Sequence, residues 1–342
     1  MKAMLLREIA PLTDNPKPLS FDNVPEPKPN TDEVLIRVSA CGVCHTELDE
    51  IEGRTPPSQL PRILGHQIVG IVEQAGQVSQ VLHVGDRVGV AWIYSACGEC
   101  EFCKSGRENL CTKFRATGRD ADGGYAEYMT VRADFAHPIP ESLSDSEAAP
   151  LLCAGAVGYR ALKLANIEDG QSLGLMGFGG SNHLVLKMAK HKYPKSDIFV
   201  FSRNVQEQEF AKSLGAAWAG AIDQNPPTEL NAVIDTTPVW SPIAEALKHL
   251  SPGGRLVVNG IRKEEVDKGA LLKLDYASQL WMEKEIKSVA NVTRQDVREF
   301  LSLASEAGLK PEFQEFDLKD ANAALLEMKQ GKIRGSKVLR VS

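Results

Sequence analysis

The sequence has no block of lysine and arginine, no uninterrupted apolar run of 18 residues, and no leader-like start, since MKAMLLREIA is broken by Arg7 and Glu8. The first absence, with a net charge of -6 at pH 7, argues against nucleic acid or an anionic membrane surface as partner, because both are bound through clustered cations. The second leaves no candidate for a membrane-spanning helix. The third points to a cytoplasmic chain, where reducing conditions disfavour disulfides, so the 7 cysteines are expected to serve a metal or catalysis. The first 150 or so residues also lack an obvious long helix. Short alternating apolar stretches (EVLIRVSA, GIVEQAG, GDRVGVAW, YAEYMTVRAD) cut by Gly, Pro, Asn and Asp predict an irregular β-rich domain there. A chain of 342 residues has room for two domains, each with its own core.

Two cysteine-bearing stretches stand out in that β-rich part. Residues 41–70 read CGVCHTELDEIEGRTPPSQLPRILGHQIVG and hold Cys44, Thr46 and His66 in one short span. A thiolate and an imidazole suit a borderline-soft ion such as zinc, with a third soft ligand required from elsewhere. Taken alone, the span also fits a Cys41-x2-Cys44 redox pair or buried core thiols. Residues 97–111 read CGECEFCKSGRENLC, with Cys97-x2-Cys100-x2-Cys103-x7-Cys111. Four thiols at this spacing predict a closed tetrahedral zinc site that staples a loop. Iron–sulfur runs differ in spacing and often carry a following proline, which is absent here.

Further on, SLSDSEAAPLLCAGAVGYRALKLA opens with Ser144 and Glu147 in capping-box spacing and continues in a helical rhythm that carries Cys153. From about residue 170 the pattern becomes strand, tight turn, helix, repeated, which predicts parallel strands and crossover helices in a doubly wound sheet. The first turn, Gly177-Phe178-Gly179-Gly180-Ser181-Asn182, follows a strand and opens a helix, the context of a dinucleotide phosphate loop. Gly177 and Gly179 allow the tight turn and the close approach of the pyrophosphate, with Gly180 and Ser181 also expected to line the cofactor, while Asn182 stands where a third glycine is usual, predicting a slightly wider strand–helix crossing. The second strand of this region ends on Ser202 and Arg203, with no carboxylate until Glu207. An acidic residue there would accept from an adenosine ribose 2′-hydroxyl, whereas serine and arginine favour a 2′-phosphate, so the cofactor expected is NADP(H). After about 290, two amphipathic helices and a last strand, KVLRV, follow; the pattern does not say where they pack.

The order of these motifs resembles the zinc-dependent alcohol dehydrogenases of the medium-chain dehydrogenase/reductase family, most specifically in GVCHTEL, GHQIVG, CGECEFCKSGRENLC and LLCAGAVGYRAL. The resemblance covers nearly the whole chain. It implies an α/β protein made of a GroES-like β-rich catalytic domain, 1–153 completed by 290–342, and a Rossmann cofactor domain, 154–289, with the C-terminal segment returning to the first domain. It implies a catalytic zinc on Cys44, His66 and Cys153 and a structural zinc on Cys97, Cys100, Cys103 and Cys111. It further implies that Thr46 takes the substrate proton, that Glu47 orients the imidazole of His66, that Asp49 stands at the solvent end of the relay where many relatives have histidine, and that Trp92 lines the substrate channel. The activity implied is reversible hydride transfer between a primary alcohol or aldehyde and NADP(H) in a homodimer or homotetramer. The alternatives are a polyol dehydrogenase, an NAD-dependent alcohol dehydrogenase and a non-catalytic relative. Gln67 replaces the usual glutamate after the ligand histidine. Ser336 replaces an arginine that some relatives direct at the cofactor phosphate, with Arg334 and Lys337 as possible substitutes, and Cys41 has no ligand role.

Overall fold

The computed structural model describes residues 1–76, 82–331 and 335–341. The chain forms two compact units, Met1–Cys153 with Val292–Ser342, and Ala154–Asn291.

The first unit is organised on the strand Glu33–Val43, an almost continuous apolar run that is buried on both faces. It pairs antiparallel with Ile68–Ala75, Tyr128–Arg132 and the C-terminal strand Ser336–Arg340, within a 7-stranded sheet. Where it meets Ile68–Ala75 the backbones approach so closely that a Cβ at Gly70 would lie 2.2 Å from the Arg37 carbonyl oxygen, so glycine is required there. The C-terminal strand pairs Lys337 with Val43 and Val338 with Gly42, one residue before the first expected metal ligand, Cys44. Lys337 is thereby buried: its ammonium donates to Glu327 Oε2 at 2.6 Å and Gln314 Oε1 at 3.2 Å and lies over the Phe316 ring. This corrects the expectation that Lys337 could serve a cofactor phosphate. Arg334, the other suggested substitute, lies outside the described residues.

The second unit is a doubly wound sheet of 6 strands, all parallel, in the order Trp218–Gly220, Ile198–Phe201, Leu173–Met176, Leu230–Asp235, Leu250–Val258, Glu285–Ser288. The strands LGLM and IFVF are buried at every residue, as strands covered by helices on both faces must be. The strand order reverses between Leu173–Met176 and its neighbour Leu230–Asp235, the place where such sheets bind ligands beyond their C-terminal ends. No helix among the described residues is long and apolar enough to cross a membrane.

Candidate active site and metal centres

Cys44 follows the strand Glu33–Val43 directly and is the N-cap of the helix His45–Ile51. One turn into that helix, Glu47 is fully buried and uses both oxygens: Oε2 accepts from the Cys44 backbone N–H at 2.7 Å, and Oε1 lies 2.6 Å from His66 Nδ1. A single carboxylate therefore fixes the N-terminus of the helix that carries Cys44 and also the ring of His66. With Nδ1 turned to Glu47, Nε2 faces Cys153, whose Sγ lies 3.3 Å away. The ligand atoms of Cys44, His66 and Cys153 all lie within 4.8 Å of one another.

Cys153 reaches this point through an irregularity. The capping box of Ser144 and Glu147 starts a helix at Asp145–Pro150, as its spacing predicts. The helical rhythm then widens into a π-turn over Leu151–Gly155 before α-helix resumes at Ala156–Ala165. Wide turns of this kind re-aim one side chain, and functional sites often use them.

The donor set fits a borderline-soft cation. The hydrogen bond from Cys153 holds the Cys44 thiol well below the usual range against burial, and the His66 imidazole adds to this. The same contact, with burial, pushes Cys153 up. Burial pulls His66 down, but the Glu47 carboxylate and Cys44 outweigh it and raise the imidazole well above its ordinary value. A thiolate, a second thiol and an imidazole with one nitrogen committed to a carboxylate are the ligands of a Cys2His zinc centre, for which alcohol dehydrogenase is the standard example.

The four remaining ligating thiols form a second cluster, again with all sulfurs within 4.8 Å. Cys97 Sγ lies 3.5 Å from Cys111 and 3.8 Å from Cys103. Backbone N–H groups point at the sulfurs, from Cys100 to Cys97 at 3.4 Å and from Cys103 to Cys100 at 3.5 Å. Such backbone donors, from Glu99 and Cys100, lower Cys97 to about 6, whereas burial pushes Cys103 up to about 12. All 7 cysteines are free of disulfides, and Cys41 is a buried thiol outside both clusters.

Thr46 is half-buried, and its hydroxyl lies 3.6 Å from Cys44 Sγ. Asp49 does not stand at a solvent-facing end: it is 5% exposed and pairs with Arg54 Nε at 2.5 Å. Gln67 is buried too, its side chain lying over Gly42, where any Cβ would meet it at 2.6 Å. Trp92 is buried against Phe114, with ring centroids 5.2 Å apart, and the Arg119 guanidinium lies over its ring. Its indole N–H has no partner among the described residues. Glu50, which no sequence motif marks, is 1% exposed, and neither of its oxygens is hydrogen-bonded among the described residues. Burial and the nearby Glu47 charge push its carboxyl well up. The i, i+3 spacing from Glu47 was the signal that could have placed it on the inner face of the same helix.

In the second unit Gly177 adopts φ +76°, and a Cβ there would sit 3.1 Å from Thr237 Cγ2. Gly179 and Gly180 face open space, and Ser181 Oγ donates to the Ala154 carbonyl at 3.0 Å. Asn182 is wholly buried at the start of helix Asn182–Lys192. Ser202 accepts from the Asn204 backbone N–H at 3.1 Å and donates its own proton to Glu207 Oε2. Arg203 is exposed. The carboxylate five residues on thus stands beside the serine, which the linear spacing had concealed.

Residues 30–141 match the model of the alcohol dehydrogenase GroES-like domain. The whole chain is similar, at 39% identity over 346 residues and 97% of that protein, to a probable alcohol dehydrogenase, AdhA, of Mycobacterium tuberculosis. An alcohol dehydrogenase of Geobacillus stearothermophilus is 35% identical over 334 residues, covering 95% of this chain and 97% of that protein. The fold is similar to the cobalt- and zinc-bound thermostable alcohol dehydrogenase of Pyrobaculum aerophilum, with a TM-score of 0.87 and 25% identity, covering 100% of this chain and 99% of that one.

Proposed function

Because the chain belongs to the zinc-type alcohol dehydrogenases of the medium-chain dehydrogenase/reductase family, we propose that it interconverts unbranched primary alcohols and aldehydes using NADP(H) and two zinc ions. The observation that carries this reading is the Cys44–His66–Cys153 set, with Glu47 fixing both the helix of Cys44 and the ring of His66. A zinc ion held by those three side chains would supply Lewis-acid polarisation of the substrate oxygen, and the nicotinamide would supply or take the hydride.

The chain's own residues do the rest. Glu47 keeps His66 in one tautomer and orientation, so the ligand geometry is set before substrate arrives. Thr46, beside Cys44, is the hydroxyl placed to take the substrate proton. Asp49, held by Arg54, steadies the helix that presents Thr46 rather than ending a relay in solvent. Trp92, pinned by Phe114 and Arg119, narrows the channel towards small unbranched substrates. Cys97, Cys100, Cys103 and Cys111 hold the second zinc in a closed site that staples their loop.

Arg203 is the cation that supports NADP(H). A second reading, NAD(H), is favoured by Glu207: its carboxylate takes the Ser202 proton, would repel a 2′-phosphate, and could accept from a ribose hydroxyl. The exposed Tyr276, Trp281, Met282 and Ile286, beside and on the edge strand Glu285–Ser288, support a homodimer or homotetramer. Seven free thiols suit the cytoplasm.

The test combines metal analysis with kcat/KM on a panel of alcohols and aldehydes, with each cofactor, in wild type, Cys44→Ser, Cys100→Ser and Ser202→Asp/Arg203→Ile. Two zincs per chain are expected, with Cys44→Ser keeping the fold and one zinc but losing turnover. A single zinc that survives Cys44→Ser and is lost in Cys100→Ser would overturn the catalytic centre. Wild type preferring NAD(H), or a double variant with unchanged preference, would overturn the NADP(H) assignment.

A further inference from the structure

The turn at 177–182 departs from the three-glycine pattern at its last residue, and the residue that stands there makes a set of contacts no glycine could make. Asn182 is 0% exposed. Its Nδ2 lies 3.0 Å from the Met176 carbonyl oxygen, 2.8 Å from that of Gly177 and 3.1 Å from Thr236 Oγ1. The orientation of the amide is forced, because turning it over would set Oδ1 against two carbonyl oxygens that can only accept. In the observed orientation Oδ1 is buried without a partner. The crossing of strand and helix is therefore tied together by the asparagine, where the sequence predicts only a wider gap.

The acceptors sit at the ends of two different strands, Leu173–Met176 and Leu230–Asp235, the adjacent pair at which the sheet order reverses. Thr236 completes the tie by donating its hydroxyl to the Met176 carbonyl at 3.2 Å. The network then continues into the loop beyond the second strand. Thr237 Oγ1 donates to Asp235 Oδ1 at 2.7 Å, and the buried Lys263 ammonium donates to Asp235 Oδ2, to the Thr237 carbonyl at 2.7 Å and to the Val239 carbonyl at 3.1 Å. Asp235 and Lys263 are both buried, with side-chain exposures of 0% and 7%. The glycine turn and the 236–239 loop are thus joined beneath the crevice by a polar lattice to which the helix contributes Asn182.

We propose that Asn182 is a positioning residue for the dinucleotide: it locks the glycine turn to the 236–239 loop across the switch point, so that both walls of the pyrophosphate site are set before the cofactor arrives. The proposal rests on the reading that this unit takes a nicotinamide cofactor. Its physical basis is pre-organisation, since a ligand that must first order two independent loops loses affinity to their entropy. None of these hydrogen bonds uses the side chain of Ser202 or Arg203, so the lattice acts on NADH and NADPH alike.

The experiment titrates NADH and NADPH separately against the zinc-loaded full chain, by quenching of protein fluorescence, in wild type, Asn182→Ala, Thr236→Val and the double variant. Asn182→Ala is expected to raise both Kd values about tenfold with their ratio kept, and to change kcat at saturating cofactor far less. Thr236→Val, which keeps shape but loses the bonds to Asn182 and to the Met176 carbonyl, is expected to raise both by about threefold, and the double variant by less than the product of the two single effects. Should Asn182→Ala not fold, Thr236→Val decides by the same criterion. Wild type binding neither cofactor would remove the cofactor reading itself. Wild type binding one or both, with folded variants showing unchanged Kd values even if they melt earlier, would overturn the positioning role and leave Asn182 a packing residue only.

Discussion

His137 shows what burial does to a single titratable residue in this chain. It lies in a short strand of the first unit, 2% exposed, with Nδ1 unpartnered. Burial, then the charges of Arg298 and Arg294, lower it to about 3. Arg294 is itself paired with Glu108 and Asp134, so the positive field at the ring is partly neutralised and desolvation dominates. The folded pKa lies below the unfolded value, so the unfolded chain binds more protons between the two. Stability is therefore full above about pH 6.5 and falls with acidification, at about 1.4 kcal/mol per pH unit, until about pH 3. Denaturant melts of wild type and His137→Gln between pH 6.5 and 5, above the range where ordinary carboxylates titrate, should show the extra slope in wild type alone; parallel slopes would refute it. Other residues differ in how far their chemistry could be read from the string. Cys44, His66 and the four clustered thiols carry spacing signals. The double use of Glu47 and the burial of Glu50 depend on which helix face turns inward, and the Ser202–Glu207 bond depends on a helix folding back on the strand end, which spacing alone does not disclose.

Among the elements, the four-cysteine loop is held from outside as well as by its own sulfurs. The helix Arg294–Glu306 begins at a capping box of Thr293 and Asp296. Its first residue, Arg294, donates from backbone N at 2.7 Å and from Nε at 3.0 Å to Glu108 Oε1, inside the loop. It also pairs with Asp134 and lies 4.9 Å over the Phe135 ring. Glu108 is 2% exposed, so removing the guanidinium leaves a buried carboxylate short of its charge-assisted donor, which costs about 1–3 kcal/mol for a partner that is itself part-exposed. Arg294→Ala should therefore lower the melting temperature and speed loss of zinc from the four-cysteine site to a chelator. Glu108→Gln/Arg294→Ala should recover part of both, because the uncompensated charge is gone. Equal chelation rates in wild type and Arg294→Ala would show that the loop is held by its metal alone. The helix itself is legible from its apolar rhythm, and so is the cap at Ser144. Its docking on the cysteine loop is not, because the contact joins residues 186 apart in the chain. The π-turn at Leu151–Gly155 was equally hidden, since a widened turn leaves the apolar rhythm nearly intact.

For the whole molecule, the consequence of the discontinuous first unit is that its last strand completes the sheet beside the metal ligands. Ser336–Arg340 pairs with Ala40–Val43, and Val338 and Leu339 are wholly buried. The consecutive apolar residues of KVLRV announce a buried strand, but a strand pattern carries no address, so its partner was supplied only by family resemblance. Removing it would expose the backbone edge of the central strand at the residues leading into Cys44, and would leave Phe313–Asp317 without its parallel neighbour. The second unit is one contiguous stretch, 154–291, with a core of its own that includes Phe201, Leu230, Val233 and Leu256, and among the described residues none of its strand pairs involves the C-terminal segment. A chain ending before Ser336 is therefore expected to lose the zinc at Cys44, His66 and Cys153 and all turnover. Limited proteolysis of it should leave a resistant fragment corresponding to about 154–291, because a domain of this size can bury enough surface to stand alone. Metal analysis and mass spectrometry of the digest check both halves. A truncated chain that keeps two zincs would show that the closing strand is dispensable to the site, and one digested evenly from end to end would show that the two cores do not fold as separate units.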